Sequence, residues 1–139
     1  MVADDDRSLL DALSARLGAS GFDGHVAQDG YMAVQAVRRL RPDVVLLDVG
    51  MPAGDGFSVH ERVRQFLGDG DDTQFVYMTG SREAGVLQTA RARHAYALVP
   101  KPFDGRELVT VLRGAVRRRR SRQAAALERA ARDLAAEAL

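Results

Sequence analysis

The strongest indication of the fold is the segment Val44-Val45-Leu46-Leu47-Asp48-Val49-Gly50-Met51-Pro52-Ala53-Gly54-Asp55-Gly56. It opens with consecutive apolar residues, some of them β-branched, a pattern typical of a strand buried on both faces of a parallel sheet. Asp48 follows at once, and a loop rich in Gly and Pro comes next. Ligands bind outside the carboxyl ends of strands in open α/β sheets. A lone aspartate there is more often a helix cap or turn residue, so the ends of the other strands decide its role.

The composition fits one compact domain, since 46% of the 139 residues are hydrophobic. The formal net charge of +1 indicates no global attraction to nucleic acid or to a membrane surface. The absence of cysteine excludes disulfides, thiolate metal sites and cysteine nucleophiles. The sequence contains no apolar run of membrane-spanning length and no signal-peptide pattern. We therefore expect a soluble, cytoplasmic protein.

Strand and helix patterns alternate along the chain, which predicts an α/β fold with a parallel sheet and helices on both faces. Gly18 and Gly21 are expected to end the first helix, and Asp29-Gly30 to form a turn. The predicted strands are 1–3, 23–28, 44–48, 75–78 and 95–99. The predicted helices are 7–17, 31–40, 57–67, 83–93 and one that begins near 104.

Polar residues stand where the predicted strands end: Asp4, Asp5, Asp48, Thr79 and Lys101. Parallel strands bring these ends to one edge of the domain. Carboxylates crowded there repel one another, by about 4 kcal/mol for a pair 4 Å apart at an effective dielectric of 20. A hard divalent cation removes this penalty, although acidic triplets such as Asp4-Asp5-Asp6 are more often solvated charge clusters or helix starts. The set favours Mg²⁺-assisted phosphoryl transfer to a carboxylate.

Lysine occurs once in the sequence, at Lys101, among 20 basic residues. Arginine and lysine differ where a compact ammonium must reach one point. Its place at a strand end, within Pro100-Lys101-Pro102-Phe103, favours a functional role, although one lysine in this position is weak evidence on its own.

The chain resembles the receiver domains of bacterial two-component response regulators over roughly residues 1–118. The segments that carry the resemblance occur in family order: Asp4-Asp5-Asp6, Pro42 to Gly56, Thr79-Gly80-Ser81 and Lys101-Pro102-Phe103. It implies a flavodoxin-like sheet of five parallel strands in the order 2-1-3-4-5. It also implies a partner, a sensor histidine kinase or a phosphotransfer protein, that phosphorylates the domain.

The resemblance assigns a role to each matching residue. Asp48 would be the phosphoacceptor and, with Asp5 and the carbonyl group of Gly50, would bind Mg²⁺ (or Mn²⁺) directly. Asp4 would act largely through water. Two further residues would contact the phosphoryl oxygens, namely Lys101 and, in the active state, Thr79. The Lys101–Pro102 peptide bond would be cis.

Two features depart from the family pattern. Leu98 stands where the family usually has an aromatic switch residue; Tyr96 would lie on the same face of the strand, but we do not expect it to substitute. The first strand is short for an interior strand, so we expect Met1 to be an artificial boundary or a misassigned start.

Residues 119–139 are expected to form a helical tail or linker after a receiver domain at 1–118. Arg117 to Arg122 is strongly basic but has no interleaved aromatics, which favours a solvated helix face over nucleic-acid binding. Leucine and alanine at 127, 131, 134 and 138 follow coiled-coil spacing. An extended last helix and a homodimer formed through it are therefore predicted.

Two other function classes compete with the signalling switch. One is an enzyme, a phosphotransferase or phosphatase that forms an aspartyl phosphate; such enzymes usually have a second acid two residues after the nucleophile, where this chain has Gly50. The other is an interaction module that acts through the helical tail. The complete set Asp5, Asp48, Thr79 and Lys101 favours the switch.

Overall fold

A sheet of parallel strands forms the centre of the computed structural model, which describes residues 1–68, 70–80 and 84–138. The strands are β1 (Val2–Ala3), β2 (Val26–Ala27), β3 (Val44–Asp48), β4 (Gln74–Thr79) and β5 (Ala97–Pro100). The helices are α1 (Arg7–Ala19), α2 (Gly30–Leu40), α3 (Gly56–Leu67), α4 (Ala84–Ala92) and α5 (Gly105–Glu137). The strand order β2-β1-β3-β4-β5 confirms the predicted topology.

The middle strand β3 is buried along its whole length, as its apolar run predicts. Leu47 faces the side of the sheet that α2 and α3 cover, whereas Leu46 faces the side covered by α1 and α5. In β3 the next residue, Asp48, pairs in register with Met78 of β4. The two hydrophobic layers therefore fix the position of Asp48 at the sheet edge.

Three helices begin with the dipeptide Asp-Gly, in which the aspartate caps the helix and the glycine is its first residue. Asp29, for example, accepts a hydrogen bond at Oδ1 from the backbone N–H of Met32, at 2.8 Å. Equivalent caps are Asp55 and Asp104. The expectation of a separate turn at Asp29-Gly30 was wrong, because the aspartate satisfies a free N–H of α2 instead.

Other predicted boundaries differ by a few residues. The first helix passes through Gly18 and ends at Ala19, because Ser20 closes it by donating its backbone N–H to the Arg16 carbonyl. The second strand is limited to Val26–Ala27 rather than 23–28. Two residues used in the predictions lie outside the described residues: Ser81, the last residue of Thr79-Gly80-Ser81, and Glu83, the predicted start of the fourth helix.

The prediction that Tyr96 shares a strand face with Leu98 was wrong. The last strand begins at Ala97, so the alternation of side chains along a strand does not extend to Tyr96. Leu98 packs on the α2 and α3 side, whereas Tyr96 packs with the opposite core against α5 at Gly114. The guanidinium of Arg118 lies 5.6 Å from the Tyr96 ring centroid.

A polar residue of α3, His60, lies in the core, which the apolar pattern of the helix did not predict. His60 is only 1% exposed, stacks on Phe75 and hydrogen-bonds to the hydroxyl of Tyr77. Its other ring nitrogen accepts a hydrogen bond from Arg64 Nε at 3.1 Å. Burial first, and then the charge of Arg64, lower the pKa of His60 to about 3. His60 is therefore neutral at pH 7.

The last helix is long: α5 has 33 residues and spans about 50 Å at 1.5 Å per residue. Its first part packs on the domain, and Arg119 Nη1 contacts Asp43 Oδ1 at 2.7 Å. Towards its end, Leu127 and Leu134 are 72% and 68% exposed. The predicted extension of the last helix is thus confirmed. Within the described part of the chain, none of the helices combines the length and apolar character that a membrane span requires.

Candidate functional site

The carboxyl ends of three strands converge on a cluster of three charged side chains. Asp4 follows β1 and is fully buried, and Asp48 ends β3 at 8% exposure. Lys101, directly after β5, contacts both: its Nζ lies 2.6 Å from Asp4 Oδ2 and 3.4 Å from Asp48 Oδ1. The second oxygen of Asp4 accepts a hydrogen bond from the backbone N–H of Asp6, at 2.9 Å. Residues that are distant in sequence thus form one charged cluster, as predicted.

Three carboxylates come together at this edge. One oxygen each from Asp4, Asp5 and Asp48 lies within 4.8 Å of the others. Asp5 is exposed to solvent, unlike its two neighbours. Gly50, two residues after Asp48, is also exposed. The set offers several oxygen atoms at an accessible edge, which is the donor chemistry that Mg²⁺ requires.

The last predicted site residue, Thr79, ends β4 and is 5% exposed. Its carbonyl oxygen accepts a hydrogen bond from the backbone N–H of Lys101, at 2.7 Å. A backbone hydrogen bond therefore joins the ends of β4 and β5 at Lys101, a member of the charged cluster. The Lys101–Pro102 peptide bond is cis, as the resemblance implies.

The cluster raises the pKa of both Asp48 and Lys101, which disfavours the charged form of the acid and favours the charged form of the base. Burial, and then the charge of Asp4, raise the pKa of Asp48 above its ordinary value, although Lys101 and the N–H of Gly50 partly offset this. Burial alone would lower the pKa of Lys101. The hydrogen bond to Asp4 and the charges of Asp48 and Asp4 outweigh it, so the pKa of Lys101 is raised. Lys101 is a stable cation between two carboxylates.

A close backbone approach also fixes the Asp48 main chain. Gly56, the first residue of α3, donates its N–H to the Val49 carbonyl at 3.2 Å. A Cβ atom at Gly56 would lie 2.6 Å from the Asp48 carbonyl oxygen, so only glycine allows this contact. The sequence predicted that these residues lie together but did not predict this contact or the pairing of Lys101 with Asp4. Asp55-Gly56, a capped helix start, was a usable signal for the first.

Comparison with known proteins decides the family. The sequence profile of the response regulator receiver domain matches residues 1–113. The chain belongs to this family. Receiver domains interact with histidine kinases in two-component systems and generally bind Mg²⁺ through acidic residues, and the cluster of Asp4, Asp5 and Asp48 fits such an ion.

Individual receiver proteins support the assignment. The chain is 35% identical over 118 residues to response regulator MprA of Mycobacterium sp. (strain KMS), covering 85% of this chain and 50% of the relative. It is 34% identical over 125 residues to MprA of Mycobacterium tuberculosis (strain ATCC 25177 / H37Ra), covering 90% and 53%. The chain thus spans about half the length of the curated relatives it matches.

Solved structures agree with the fold. Chemotaxis protein CheY4 of Vibrio cholerae superimposes with a TM-score of 0.75 at 27% identity, over 82% of this chain and 94% of that one. A CheY-like receiver domain of Methanospirillum hungatei JF-1 gives 0.79 at 19% identity, over 86% and 94%. The second likeness concerns the fold alone.

The raised pKa of Asp48 predicts a stability change in the receiver. Because the folded state holds the Asp48 proton more tightly than the unfolded chain, this carboxyl destabilises the fold as the pH rises above its ordinary value of 3.8. We expect Asp48→Asn to melt at a higher temperature than the wild type at pH 7 without divalent metal. The difference should shrink as the pH falls towards 3.8 and below. Thermal unfolding by circular dichroism at a series of pH values measures it.

The matched control is Asp11→Asn, which removes an exposed aspartate of α1. It should leave the melting temperature at pH 7 nearly unchanged. If Asp48→Asn melted below the wild type at pH 7, the charge of Asp48 would be stabilising, and this account of the cluster would be wrong.

Proposed function

We propose that this receiver domain is a phosphorylation-dependent signalling switch. Asp48 accepts a phosphoryl group from a sensor histidine kinase or a phosphotransfer protein, with Mg²⁺ (or Mn²⁺) as the cofactor. The observation that carries the proposal is the contact of a single ammonium, Lys101, with two buried carboxylates at an edge where Asp5 is open to solvent. A structural ion pair alone needs no third, exposed carboxylate beside it.

The residues have distinct tasks toward the metal ion. Asp5, Asp48 and the carbonyl oxygen of Gly50 would hold it directly. Both oxygens of Asp4 already have partners, Lys101 and the N–H of Asp6, which supports an indirect role for Asp4 through water. The ion, when bound, neutralises carboxylate and phosphoryl oxygens.

The transfer itself needs little from the protein beyond position and charge. An oxygen of ionised Asp48 attacks the phosphorus of a phosphohistidine, the new O–P bond forms, and the P–N bond breaks. The imidazole leaves with its electron pair. Lys101 lies 3.4 Å from Asp48 Oδ1, so its ammonium is close enough to contact the new phosphoryl oxygens. The side chain of Thr79, at the end of the neighbouring strand, supplies a hydroxyl for one of them.

The output would be a change of surface around β4 and β5. The hydrogen bond from the backbone N–H of Lys101 to the Thr79 carbonyl joins the two strand ends, so movement of either residue is transmitted to the other. Tyr96, before β5, contacts α5 at Gly114 and Arg118. This face would bind or release a partner according to the state of Asp48.

The tail remains a separate proposal within this function. We take residues 1–118 as the receiver and 119–139 as the helical tail or linker, although Arg119 still pairs with Asp43. Arg120 also lies near Asp43, at 3.8 Å, and Arg118 lies over Tyr96. The other arginines of the run, at 117, 118, 120 and 122, are exposed. The absence of direct nucleic-acid binding stays a prediction. A cytoplasmic location accords with a kinase partner and likewise stays a prediction.

Phosphorylation at Asp48 is tested by labelling with acetyl phosphate or a phosphorylated kinase in the presence of Mg²⁺. The wild type should incorporate acid-labile phosphate, and Asp48→Asn should incorporate none because it lacks the nucleophilic oxygen. Asp5→Asn should be labelled at least about tenfold more slowly, since it loses one metal ligand. Asp11→Asn, which removes an exposed carboxylate that is not part of the cluster, serves as the control and should be labelled normally. Stoichiometric labelling of Asp48→Asn would show that another residue is the phosphoacceptor.

Self-association through the tail is tested by sedimentation. Leu127 and Leu134 are exposed and seven residues apart, and alanines at 131 and 138 permit close helix approach. The full chain should therefore form a dimer at high concentration. A chain ending at Gln123, which keeps the Arg119–Asp43 pair, should stay monomeric, as should full-length Leu127→Gln/Leu134→Gln. Monomeric behaviour of all three proteins would leave the tail as a linker.

A further inference from the structure

The first residue of α2 lies against the middle of the loop that follows Asp48. We name residues 49–55 the site loop. Gly30 donates its backbone N–H to the Pro52 carbonyl, at 3.2 Å. This N–H is one of the first four of a helix, which have no partner within the helix. The contact therefore joins α2 to a loop from a different part of the chain.

Space, rather than backbone conformation, requires glycine at this position. The φ angle of Gly30 is not in the left-handed region. A Cβ atom there would lie 2.6 Å from the Ala53 carbonyl oxygen and closer still to that of Gly54. Both obstacles are backbone atoms, which cannot move aside as a flexible side chain can. Any larger residue at position 30 must displace the site loop or α2.

The site loop is held at both ends as well. At its start, Val49 donates its N–H to the Met78 carbonyl at 2.9 Å, and at its end Gly56 donates to the Val49 carbonyl. Between these ends the backbone is constrained: Ala53 has a φ of 54°, a left-handed conformation that is unfavourable for alanine. Such a conformation persists where surrounding contacts hold it, and Gly30 lies directly against this residue.

We propose that Gly30 is a positioning residue for the metal site, acting through the site loop on the carbonyl group of Gly50. This inference rests on the proposed function, in which Gly50 supplies a metal ligand. A methyl group at position 30 would push the Ala53–Gly54 backbone and thereby shift Gly50, which lies three residues before Ala53 in the same loop. No ligand is removed, but one is misplaced. Loss of a group that orients metal ligands typically weakens affinity about 10-fold or more.

The test is an Mg²⁺ titration of the full chain, followed by the NMR amide shifts of residues 48–52. We expect Gly30→Ala to bind Mg²⁺ about tenfold more weakly than the wild type. The matched control is Gly18→Ala, another glycine-to-alanine change within a helix, where a Cβ atom meets nothing within 4 Å. It should bind Mg²⁺ like the wild type. Circular dichroism of all three proteins verifies that they are folded.

The outcomes separate this inference from the proposed function. Equal Mg²⁺ affinity in the wild type and in folded Gly30→Ala would overturn the role of Gly30 alone. A wild type that does not bind Mg²⁺ would overturn the proposed function and this inference together.

A second measurement applies should Gly30→Ala fail to fold. In the wild type, Mg²⁺ should slow hydrogen exchange of the Gly30 amide, because fixing the site loop also fixes its acceptor, the Pro52 carbonyl. Exchange of the Gly18 amide, within α1, provides the internal reference. An unchanged Gly30 exchange rate on saturation with Mg²⁺ would overturn the inference.

Discussion

Repulsion among carboxylates at one sheet edge is the constraint on which the site depends. Asp4, Asp5 and Asp48 place oxygens within 4.8 Å of one another, and like charges about 4 Å apart cost about 4 kcal/mol at an effective dielectric of 20. Without metal, the ammonium of Lys101 offsets this, with its closest contact to Asp4 rather than to Asp48. The compensation is incomplete, because the pKa of Asp48 stays raised.

The backbone around this cluster holds it from several directions. The buried strand β3 brings Asp48 to the edge, and Gly56 lies directly on its carbonyl group. The backbone hydrogen bond from Lys101 to Thr79 joins the ends of β5 and β4. Gly30, the first residue of α2, lies against the loop that follows Asp48. Each contact is made by main-chain atoms, which gives the charged side chains a rigid base.

The sequence predicted the fold and the site well where one strong signal dominated. The apolar run of β3 fixed the centre of the sheet, and the order of Asp4-Asp5-Asp6, Asp48 and Lys101 predicted the converging cluster. It failed where tertiary contacts decided between local options. Asp29-Gly30 suits a turn as well as a helix cap; in the structure Asp29 caps α2, and Gly30 hydrogen-bonds to the site loop.

Other features had no sequence signal at all. The face on which Tyr96 packs depends on where β5 begins, and strand ends depend on the neighbouring strand. The preference of Lys101 for Asp4 over Asp48 is a matter of distances that spacing along the chain cannot supply. The buried pair of His60 and Tyr77 likewise depends on the packing of α3 against β4.

We expect Lys101 to exchange its carboxylate partners for a phosphoryl group when Asp48 is phosphorylated. Because Lys101 is the sole lysine in the sequence, labelling with lysine that carries ¹⁵N only at Nζ yields one side-chain signal that needs no assignment. We expect this signal to shift when beryllofluoride, a phosphoryl analogue, is added with Mg²⁺ to the wild type. It should not shift when the same additions are made to Asp48→Asn. A wild-type lysine signal unmoved by saturating beryllofluoride and Mg²⁺ would contradict the account.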